Sequence, residues 1–352
     1  MAAASKPSPT SRRHWASYVV NRRAMKRLGA VAVVLVVLGV YVDRTMLRMP
    51  GKSHAGPLPS LTEDERTLAA RLRADVTALA VDIGPRNVFH PAALHAATDH
   101  LAGRFEQLGY AVDRQTFEAR GVTCTNLAVE IAGTSVPDQI VVIGAHYDSV
   151  GDCPGANDNG TGVAATLALA ERFAGKTVDR TLRFVLFANE EPPCFQSADM
   201  GSLHYARGCR ANGDDVVAMI SLETIGFYRD EKGTQKYPAP FGLLYPSEGN
   251  FIAFVGNVRS RKLVRTAVGR FRATTAFPSE GAALPGAIAG IGWSDHWAFW
   301  EADYPAIMVT DTAPFRFPHY HLASDLPDTI DYERMARVVV GIERVVEGLA
   351  TR

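Results

Sequence analysis

The sequence has few cysteines, no surplus of one charge and no internal repeat, and each shortage excludes a class of protein. Four cysteines in 352 residues are too few for a disulfide-stapled scaffold, and none has zinc-finger spacing. Lys and Arg number 37, as do Asp and Glu, so the chain lacks the basic surplus of a nucleic-acid-binding protein. A hydrophobic content of 47% allows a large core and excludes global disorder.

The even charge balance hides an uneven distribution. Residues 1–50 hold nine Lys or Arg and one acid, Asp43, which leaves 28 basic and 36 acidic residues in the other 302. This basic start contains a long uncharged run, LGAVAVVLVVLGVYV, at residues 28–42. The run is shorter than the roughly 20 residues of a full membrane span, but flanking Lys and Arg side chains can snorkel to extend it. We therefore predict a transmembrane signal anchor at residues 28–43.

The charges around the anchor also predict a topology. The positive-inside rule places the basic tail, residues 1–27, in the cytoplasm and the rest of this single-pass chain in the periplasm or outside the cell. A cleaved signal peptide is the alternative, although no small-residue cleavage site follows the run. Residues 44–60, rich in Pro and Gly, are interpreted as a linker, and residues 61–352 as the folded domain.

The folded domain alternates between predicted strands and helices. Ser60 and Glu63 form a possible capping box for a helix that ends near Val81. Further helices are predicted at 91–109, 161–173, 198–210 and 332–349, and strands at 110–117, 126–131, 140–145, 181–188, 216–222 and 251–255. This alternation predicts an α/β fold with a mixed, largely parallel central sheet flanked by helices. The long segment 229–250 is expected to be a functional loop.

Polar side chains come directly after three of the apolar strands. His146 and Asp148 come after the strand at 140–145, Glu190 and Glu191 after 181–188, and Glu223 after 216–222. Ligands bind beyond the carboxyl ends of strands in open α/β sheets, so these side chains are expected to meet at one edge.

Asp158 adds a further carboxylate from the glycine-flanked segment GANDNG, just before a predicted helix. Carboxylates packed this closely would repel one another, and a divalent cation removes the repulsion. A histidine among them favours zinc over magnesium or calcium. Two zinc ions would balance three carboxylates and one hydroxide, so two zinc ions per chain are expected.

Five segments of residues 61–350 together resemble the co-catalytic zinc aminopeptidases of metallopeptidase family twenty-eight. They read AHYDSV, PGANDNGTG, FANEEPP, SLETIG and HYHLASDLPDTID. The resemblance implies the zinc aminopeptidase or phosphorylase-hydrolase-like fold, which glutaminyl cyclases share. It also implies a hydrolase that cleaves peptide bonds through a metal-bound hydroxide, with a free peptide N-terminus as partner. With the predicted anchor, this describes a membrane-anchored enzyme, and the charge balance predicts no nucleic-acid partner.

The resemblance also implies a role for each matching residue. The metal ligands implied are His146, Asp158 as the bridging carboxylate, Glu191, Glu223 and His321. Glu190 resembles the general base, and Asp148 resembles the acid that orients His146. The peptide bond after Asp158 is expected to be cis. Many family members have Asp where this chain has Glu223, which puts the second zinc in question.

Several alternatives stay open at this stage. His319 is a second candidate for the role of His321, and Asp295 and His296 are either contacts near the site or structural residues. A glutaminyl-cyclase-like acyltransferase with one zinc is the second functional hypothesis, and a non-catalytic peptide-binding ectodomain is the third. Side-chain preference, amino- against carboxypeptidase or dipeptidase activity, cysteine pairing and oligomeric state are not determined by the sequence.

Overall fold

The computed structural model describes residues 22–351 and divides the chain into two compact units, Met1–Asp43 and Arg44–Arg352. The first unit contains helix α1, Arg22–Val42. Among the described residues, Met25–Leu47 is the one helical stretch long and apolar enough to cross a membrane, by length and composition alone. A signal sequence near the N-terminus passes the same test. Residues 1–21 of the predicted basic tail lie outside the described part of the chain.

The second unit is built on one eight-stranded sheet. The strands are β1 (Asp113–Ala119), β2 (Val122–Ile131), β3 (Val136–His146), β4 (Arg180–Phe187), β5 (Asp215–Glu223), β6 (Ile252–Gly256), β7 (Ser279–Ala283) and β8 (Ala306–Thr310). The helices are α2 (Glu63–Thr77), α3 (Pro91–Gln107), α4 (Gly162–Phe173), α5 (Gly201–Asn212), α6 (Arg261–Thr274), α7 (His296–Glu301), α8 (Ala313–Arg316) and α9 (Tyr332–Ala350).

The strand order across the sheet is β1-β2-β4-β3-β5-β8-β6-β7. The pairs β3/β4, β3/β5, β5/β8 and β6/β7 are parallel, whereas β1/β2, β2/β4 and β6/β8 are antiparallel. The predicted mixed, largely parallel sheet is therefore confirmed.

Helices cover both faces of the sheet because its central strands are apolar on both sides. Val141 and Ile143 of β3 belong to the core formed with α2, α3, α4, α6 and α9. Ile140 and Val142, their neighbours in sequence, pack with α5 and α7 on the opposite face. Each fully buried side chain of this kind contributes about 1.5–3 kcal/mol to folding. The result is a three-layer α/β/α domain with β3 near its middle.

The capping box of α2 lies two residues later than predicted. Thr62 donates its backbone N–H to Glu65 Oε2 at 2.7 Å, and Glu65 returns its own N–H to Thr62 Oγ1 at 3.1 Å. Both Ser60/Glu63 and Thr62/Glu65 satisfy the spacing of a capping box, so the sequence motif alone could not separate them.

The first part of the predicted linker is attached to the domain, and we call residues 44–53 the strap. Arg265 of α6 donates from Nη1 to the carbonyl oxygen of Arg44 at 2.9 Å. Ser279 of β7 donates its backbone N–H to Ser53 Oγ at 2.8 Å. Because β7 ends the sheet, the strap covers part of an otherwise unpaired strand edge. The predicted domain boundaries themselves stay predictions.

Candidate metal centre

Three parallel strands deliver the residues at their carboxyl ends to one edge of the sheet. His146 is the last residue of β3 and is level with Phe187, the last residue of β4. Glu223 is the last residue of β5, which pairs with β3 on its other side. Glu190 and Glu191 come a few residues after β4, so all four side chains reach the same place.

Asp158 joins these side chains from the loop between β3 and α4. The carboxylate of Asp325 holds that loop, because it accepts the backbone N–H groups of Asn157 at 2.8 Å and Asp158 at 3.0 Å. The buried guanidinium of Arg86 donates to the carbonyl oxygen of Gly155 at 3.0 Å. Gly155 has φ +63°, and a Cβ there would lie 2.4 Å from the carbonyl oxygen of Asp158, so only glycine fits. The Asp158–Asn159 peptide bond is cis, as the resemblance implies.

The side chains form two groups that share Asp158. Nε2 of His146 lies 3.4 Å from Asp158 Oδ1 and 3.3 Å from Glu223 Oε2. Nε2 of His321 lies 3.2 Å from Asp158 Oδ2 and 3.3 Å from Glu191 Oε2. One oxygen of Asp158 therefore faces each group, which is the arrangement a bridging carboxylate needs.

Asp148 supports both groups without belonging to either. Its carboxylate lies 3.4 Å from His146 Nδ1, the ring nitrogen that faces away from Asp158. It also accepts the backbone N–H groups of Glu190 at 3.0 Å and Glu191 at 3.1 Å. One carboxylate therefore orients the histidine and positions the two glutamates after β4. Metal-binding residues are commonly held in this way by hydrogen bonds to a carboxylate behind them.

The donor atoms of the two groups fit a divalent cation. His146 Nε2, Asp158 Oδ1, Glu191 Oε1 and His321 Nε2 are buried and have no hydrogen-bond partner. Unpaired buried polar atoms are costly, so their presence in two compact groups that share Asp158 indicates a bound ion in each group. Imidazole nitrogen with carboxylate oxygen is a donor set that zinc accepts.

The pKa values show how strongly the groups need a compensating charge. Burial, together with repulsion from Asp158, raises the pKa of Glu191 to about 8. Burial alone would lower the pKa of His321, but the carboxylates of Asp158 and Glu191 raise it to about 10. Burial likewise opposes charge on His146, yet Glu223 and its other acidic neighbours raise its pKa well above the ordinary value. Without a metal ion, protons must supply the positive charge that this site requires.

Of the two candidate histidines, His321 lies in the site. His319 Nδ1 lies 2.9 Å from the hydroxyl of Ser324 and belongs to neither group. His321 has φ +60°, a left-handed conformation that is uncommon for residues with a side chain. Its ring stacks on Tyr320, with the ring centroids 3.8 Å apart.

Asp295 and His296 are buried but lie outside the two groups. Neither oxygen of Asp295 has a hydrogen-bond partner, and burial, with repulsion from Glu223 and Asp148, raises its pKa to about 7. Nε2 of His296 lies 2.7 Å from the carbonyl oxygen of Ile291. Burial lowers the pKa of His296 to about 4, so it is neutral near pH 7. We interpret His296 as structural.

All four cysteines are within the described residues, and each is buried and unpaired. Cys124 accepts a hydrogen bond from Asn189 at 3.0 Å, and Cys153 donates to the carbonyl oxygen of Leu322 at 3.1 Å. Burial raises the pKa of the Cys153 thiol to about 12. The cysteines therefore act as small core residues in this structure.

A cavity of about 110 Å³ extends from the metal centre over the sheet. Four of its lining residues, Glu223, Thr310, Ala253 and Glu280, are paired in register across β5, β8, β6 and β7. Aromatic rings form much of its wall, and three of them come from the loop predicted to be functional: Tyr237, Phe241 and Tyr245. The cavity is therefore suited to an apolar group bound beside Glu223.

Three residues that shape the site had no role predicted from the sequence. Arg86 and Asp325 hold the loop of Asp158, and Ser294 donates from Oγ to Glu223 Oε2 at 2.7 Å. Asp325 and Ser294 each lie close in sequence to a candidate histidine, but their contacts span 167 and 71 residues. No local pattern signals pairings of that length.

Residues 126–346 match the family model described as Peptidase family M28. A protein of Escherichia coli strain K12, Uncharacterized protein YfbL, is 34% identical over 281 residues, which cover 77% of this chain and 85% of that protein. Leupeptin-inactivating enzyme 1 of Streptomyces exfoliatus is 29% identical over 168 residues, 47% of this chain and 38% of the enzyme.

Solved structures of two kinds are similar to the fold. BSAP, a zinc aminopeptidase from Bacillus subtilis, has a TM-score of 0.65 at 15% identity, covering 80% of this chain and 95% of BSAP. Fimbriiglobus ruber glutaminyl cyclase has a TM-score of 0.59 at 22% identity, covering 84% of this chain and 97% of the cyclase. At such identities the likeness establishes the fold alone.

Proposed function

The chain belongs to peptidase family M28, and on that premise we propose that it is a membrane-anchored, zinc-dependent exopeptidase of the aminopeptidase type. The observation that carries the proposal is the pair of donor groups that share Asp158, with Glu190 beside them. In each group one histidine nitrogen lies within 3.2–3.4 Å of two carboxylates at once, which is the crowding that a bound cation relieves.

His146, Asp158 and Glu223 would hold one zinc ion, and Asp158, Glu191 and His321 would hold a second. Zinc, when bound, polarises the carbonyl of the scissile bond and lowers the pKa of a water molecule. The chain's own residues orient the donors, and Asp148 is central to this because it contacts His146, Glu190 and Glu191 at once. Asp148 acts as a positioning residue.

Glu190 is suited to move a proton between the water and the leaving amine. Its Oε2 lies 3.9 Å from His146 Nε2, so its carboxylate faces the centre without completing either group that contains Asp158. In the zinc-free centre, burial, together with repulsion from Glu223 and Glu191, raises the pKa of Glu190 well above the ordinary value, against the opposing effect of His146. A carboxyl group with a raised pKa can accept a proton in one step and return it in the next.

The charge around the centre supports recognition of a free α-amine. Two zinc ions and a hydroxide would balance Asp158, Glu191 and Glu223, which leaves the carboxylate of Glu190 as a surplus of negative charge beside the centre. This surplus attracts the ammonium group of a peptide N-terminus. The apolar cavity beside Glu223 would take the first side chain, which supports aminopeptidase over carboxypeptidase activity.

A glutaminyl-cyclase-like acyltransferase is the second candidate, and the likeness to the Fimbriiglobus ruber enzyme favours it. The family resemblance implies that cyclases use one zinc and lack the first histidine. Here His146 completes a second group with Asp158 and Glu223, which supports hydrolysis. Retention of both groups also weighs against a non-catalytic peptide-binding ectodomain.

The zinc content of the full-length chain, purified in detergent, tests these alternatives. We expect two tightly held zinc ions per chain and release of amino acids from aminoacyl substrates. One zinc ion with cyclisation of N-terminal glutamine would support the cyclase instead. A chain that binds no zinc would contradict both enzymes.

Replacement of Glu190 by glutamine tests its role as the general base. We expect Glu190→Gln to lower kcat by about 10²–10⁴-fold, because glutamine cannot accept a proton, while both zinc ions stay bound. Steady-state kinetics with zinc analysis of the same sample measure both effects. Near-normal turnover in the metal-loaded variant would remove Glu190 from the mechanism, and Glu301→Gln on α7 is a distant control.

The proposed localisation is based on the apolar helix. We propose that residues 28–43 anchor the chain in the membrane, with residues 1–27 in the cytoplasm and the peptidase domain in the periplasm or outside the cell. Carbonate extraction of membranes tests the anchor, and protease accessibility in intact cells tests the topology. Recovery of a mature protein that begins after residue 43 would favour a cleaved signal peptide.

A further inference from the structure

The strap connects the proposed anchor to one edge of the domain. Arg44 lies two residues after the end of α1, and its carbonyl oxygen accepts from Arg265 Nη1 at 2.9 Å. Arg265 also donates to the carbonyl oxygen of Arg48, and Arg272 donates to that of Pro50 at 3.3 Å. The strap thus runs along α6, and the exit point of the chain lies beside Arg265, whatever the angle between α1 and the domain.

Helix α6, which holds the strap, is basic although the domain as a whole is acidic. Its sequence, RKLVRTAVGRFRAT, has five Lys or Arg residues and no acid. Lys262 is exposed and lies three residues, less than one helical turn, from Arg265. Arg259 precedes the helix, and its side chain, 75% exposed, forms an ion pair with Asp303. Lys262 and Arg265 therefore place positive charge beside the point where the chain leaves the domain, next to the single acid Asp43.

An apolar turn comes from a segment that packs against the same buried cluster as the strap. Leu47 packs with Phe241 and Tyr245 against a buried cluster under the cavity wall. Between those two aromatic residues the chain turns outward, and Leu243 is 87% exposed and Leu244 59% exposed. Two adjacent leucines at this exposure leave apolar surface in water that nothing in the described part of the chain covers.

We propose that this edge, formed by the N-terminal end of α6 and the Leu243–Leu244 turn, docks on the anionic phospholipid surface of the membrane that holds α1. The proposal rests on the proposed membrane anchor. Cations beside an apolar tip match the two layers of a bilayer surface, since Lys and Arg contact phosphate groups while leucine side chains enter the boundary below them.

The anchor explains why so small a surface would be sufficient. Because Arg44 is bound to the domain two residues after α1 ends, docking is an intramolecular event, so weak attraction per residue gives substantial occupancy. Each Lys or Arg near an anionic surface strengthens binding by a factor of about five, and the attraction falls off within a Debye length of about 8 Å at physiological salt. Docking should therefore depend on lipid charge and on salt.

The experiment uses the full-length chain reconstituted in vesicles of phosphatidylcholine with or without phosphatidylglycerol. A fluorophore attached to Leu244→Cys reports proximity to nitroxide-labelled lipids, and Val81→Cys, at 57% exposure on the C-terminal extension of α2, is the matched control. The four native cysteines are buried, and the unmodified chain gives the labelling background. Flotation of the vesicles independently reports whether the chain is anchored.

We expect strong quenching at position 244 in phosphatidylglycerol vesicles and little at position 81. Lys262→Gln should lower the equilibrium constant for docking about fivefold, so that less salt is needed to undock the domain. Arg207→Gln on α5 should leave this constant unchanged. Equal quenching at both positions, or quenching that ignores lipid charge, would overturn the docking proposal in a chain that still floats. A chain that does not float with the vesicles refutes the anchor and the docking together. Hydrolysis assays test the proposed peptidase activity separately.

Discussion

Ser294 shows how a single hydroxyl can fix the position of a proposed metal ligand, Glu223. Its Oγ donates to Glu223 Oε2 at 2.7 Å and lies 2.7 Å from the hydroxyl of Ser221. Since Ser294 has one proton and gives it to the carboxylate, Ser221 must be the donor to Ser294. Glu223 is one methylene longer than the aspartate common in the family, and this relay restricts its extra freedom.

We therefore expect Ser294→Ala to weaken zinc binding by the group of His146, Asp158 and Glu223 by about 10–100-fold. The group that contains His321 should keep its affinity, so titration with a competing chelator should resolve two separate steps. Ser260→Ala is the control, because Ser260 is also buried but its Oγ contacts the backbone of Ala306, which is paired with Met219 four residues before Glu223. An equal loss of zinc affinity at both groups would mean that Ser294 acts on the general stability of the domain instead.

At the scale of elements, the loop between β3 and α4 depends on a segment far along the chain. Asp325 accepts the backbone N–H groups of Asn157 and Asp158, and it lies immediately before the turn that leads into α9. Arg86, from the segment after α2, binds the same loop from the other side. The loop that carries Asp158 is thus held by two other parts of the fold.

Replacement of Asp325 by alanine should destabilise the domain through that loop. Two buried N–H groups would lose their acceptor, and each such loss costs about 1–3 kcal/mol. Urea unfolding of the zinc-free chain in detergent measures the change, and Asp325→Asn, which keeps one carbonyl acceptor, should lose less. Asp328→Ala is the control, because its side chain is 93% exposed. A loss no larger than that of the control would contradict the role of Asp325.

At the scale of the whole molecule, the metal centre couples stability to pH. In the zinc-free state the pKa of Glu191 is raised to about 8 and that of His321 to about 10. Both values are raised above those of the unfolded chain, so both groups stabilise the zinc-free fold at low pH and lose that contribution as pH rises through the folded-state values. The affinity for zinc rises as pH rises, because deprotonated ligands bind the metal more tightly.

The gap in Tm between the zinc-loaded and the zinc-free chain should therefore widen from about pH 6 to about pH 8. Differential scanning calorimetry in detergent, with and without a chelator, measures the gap at each pH. His319→Gln should preserve the trend, since His319 lies outside both groups. A gap that stays constant or narrows with rising pH would mean that these residues do not bind the metal.

The sequence alone was sufficient for the fold class, the family and the set of side chains gathered at the centre. Apolar runs mark β3, β4 and β5, and parallel strands bring the residues at their carboxyl ends to one edge, so His146 and Glu223 were predicted to lie close together. Helix starts were less certain, because overlapping motifs such as the two capping boxes of α2 satisfy the same local rule.

Only the tertiary structure decided which distant residues support that centre. Ser294 and Glu223 meet across 71 residues, and Asp325 reaches Asp158 across 167. The cavity beside Glu223, the strap along α6 and the exposed Leu243–Leu244 turn also arise from packing between remote segments. Local propensity and periodicity report the secondary structure of a segment and the side it buries, whereas the partner it meets depends on the packing of the entire chain.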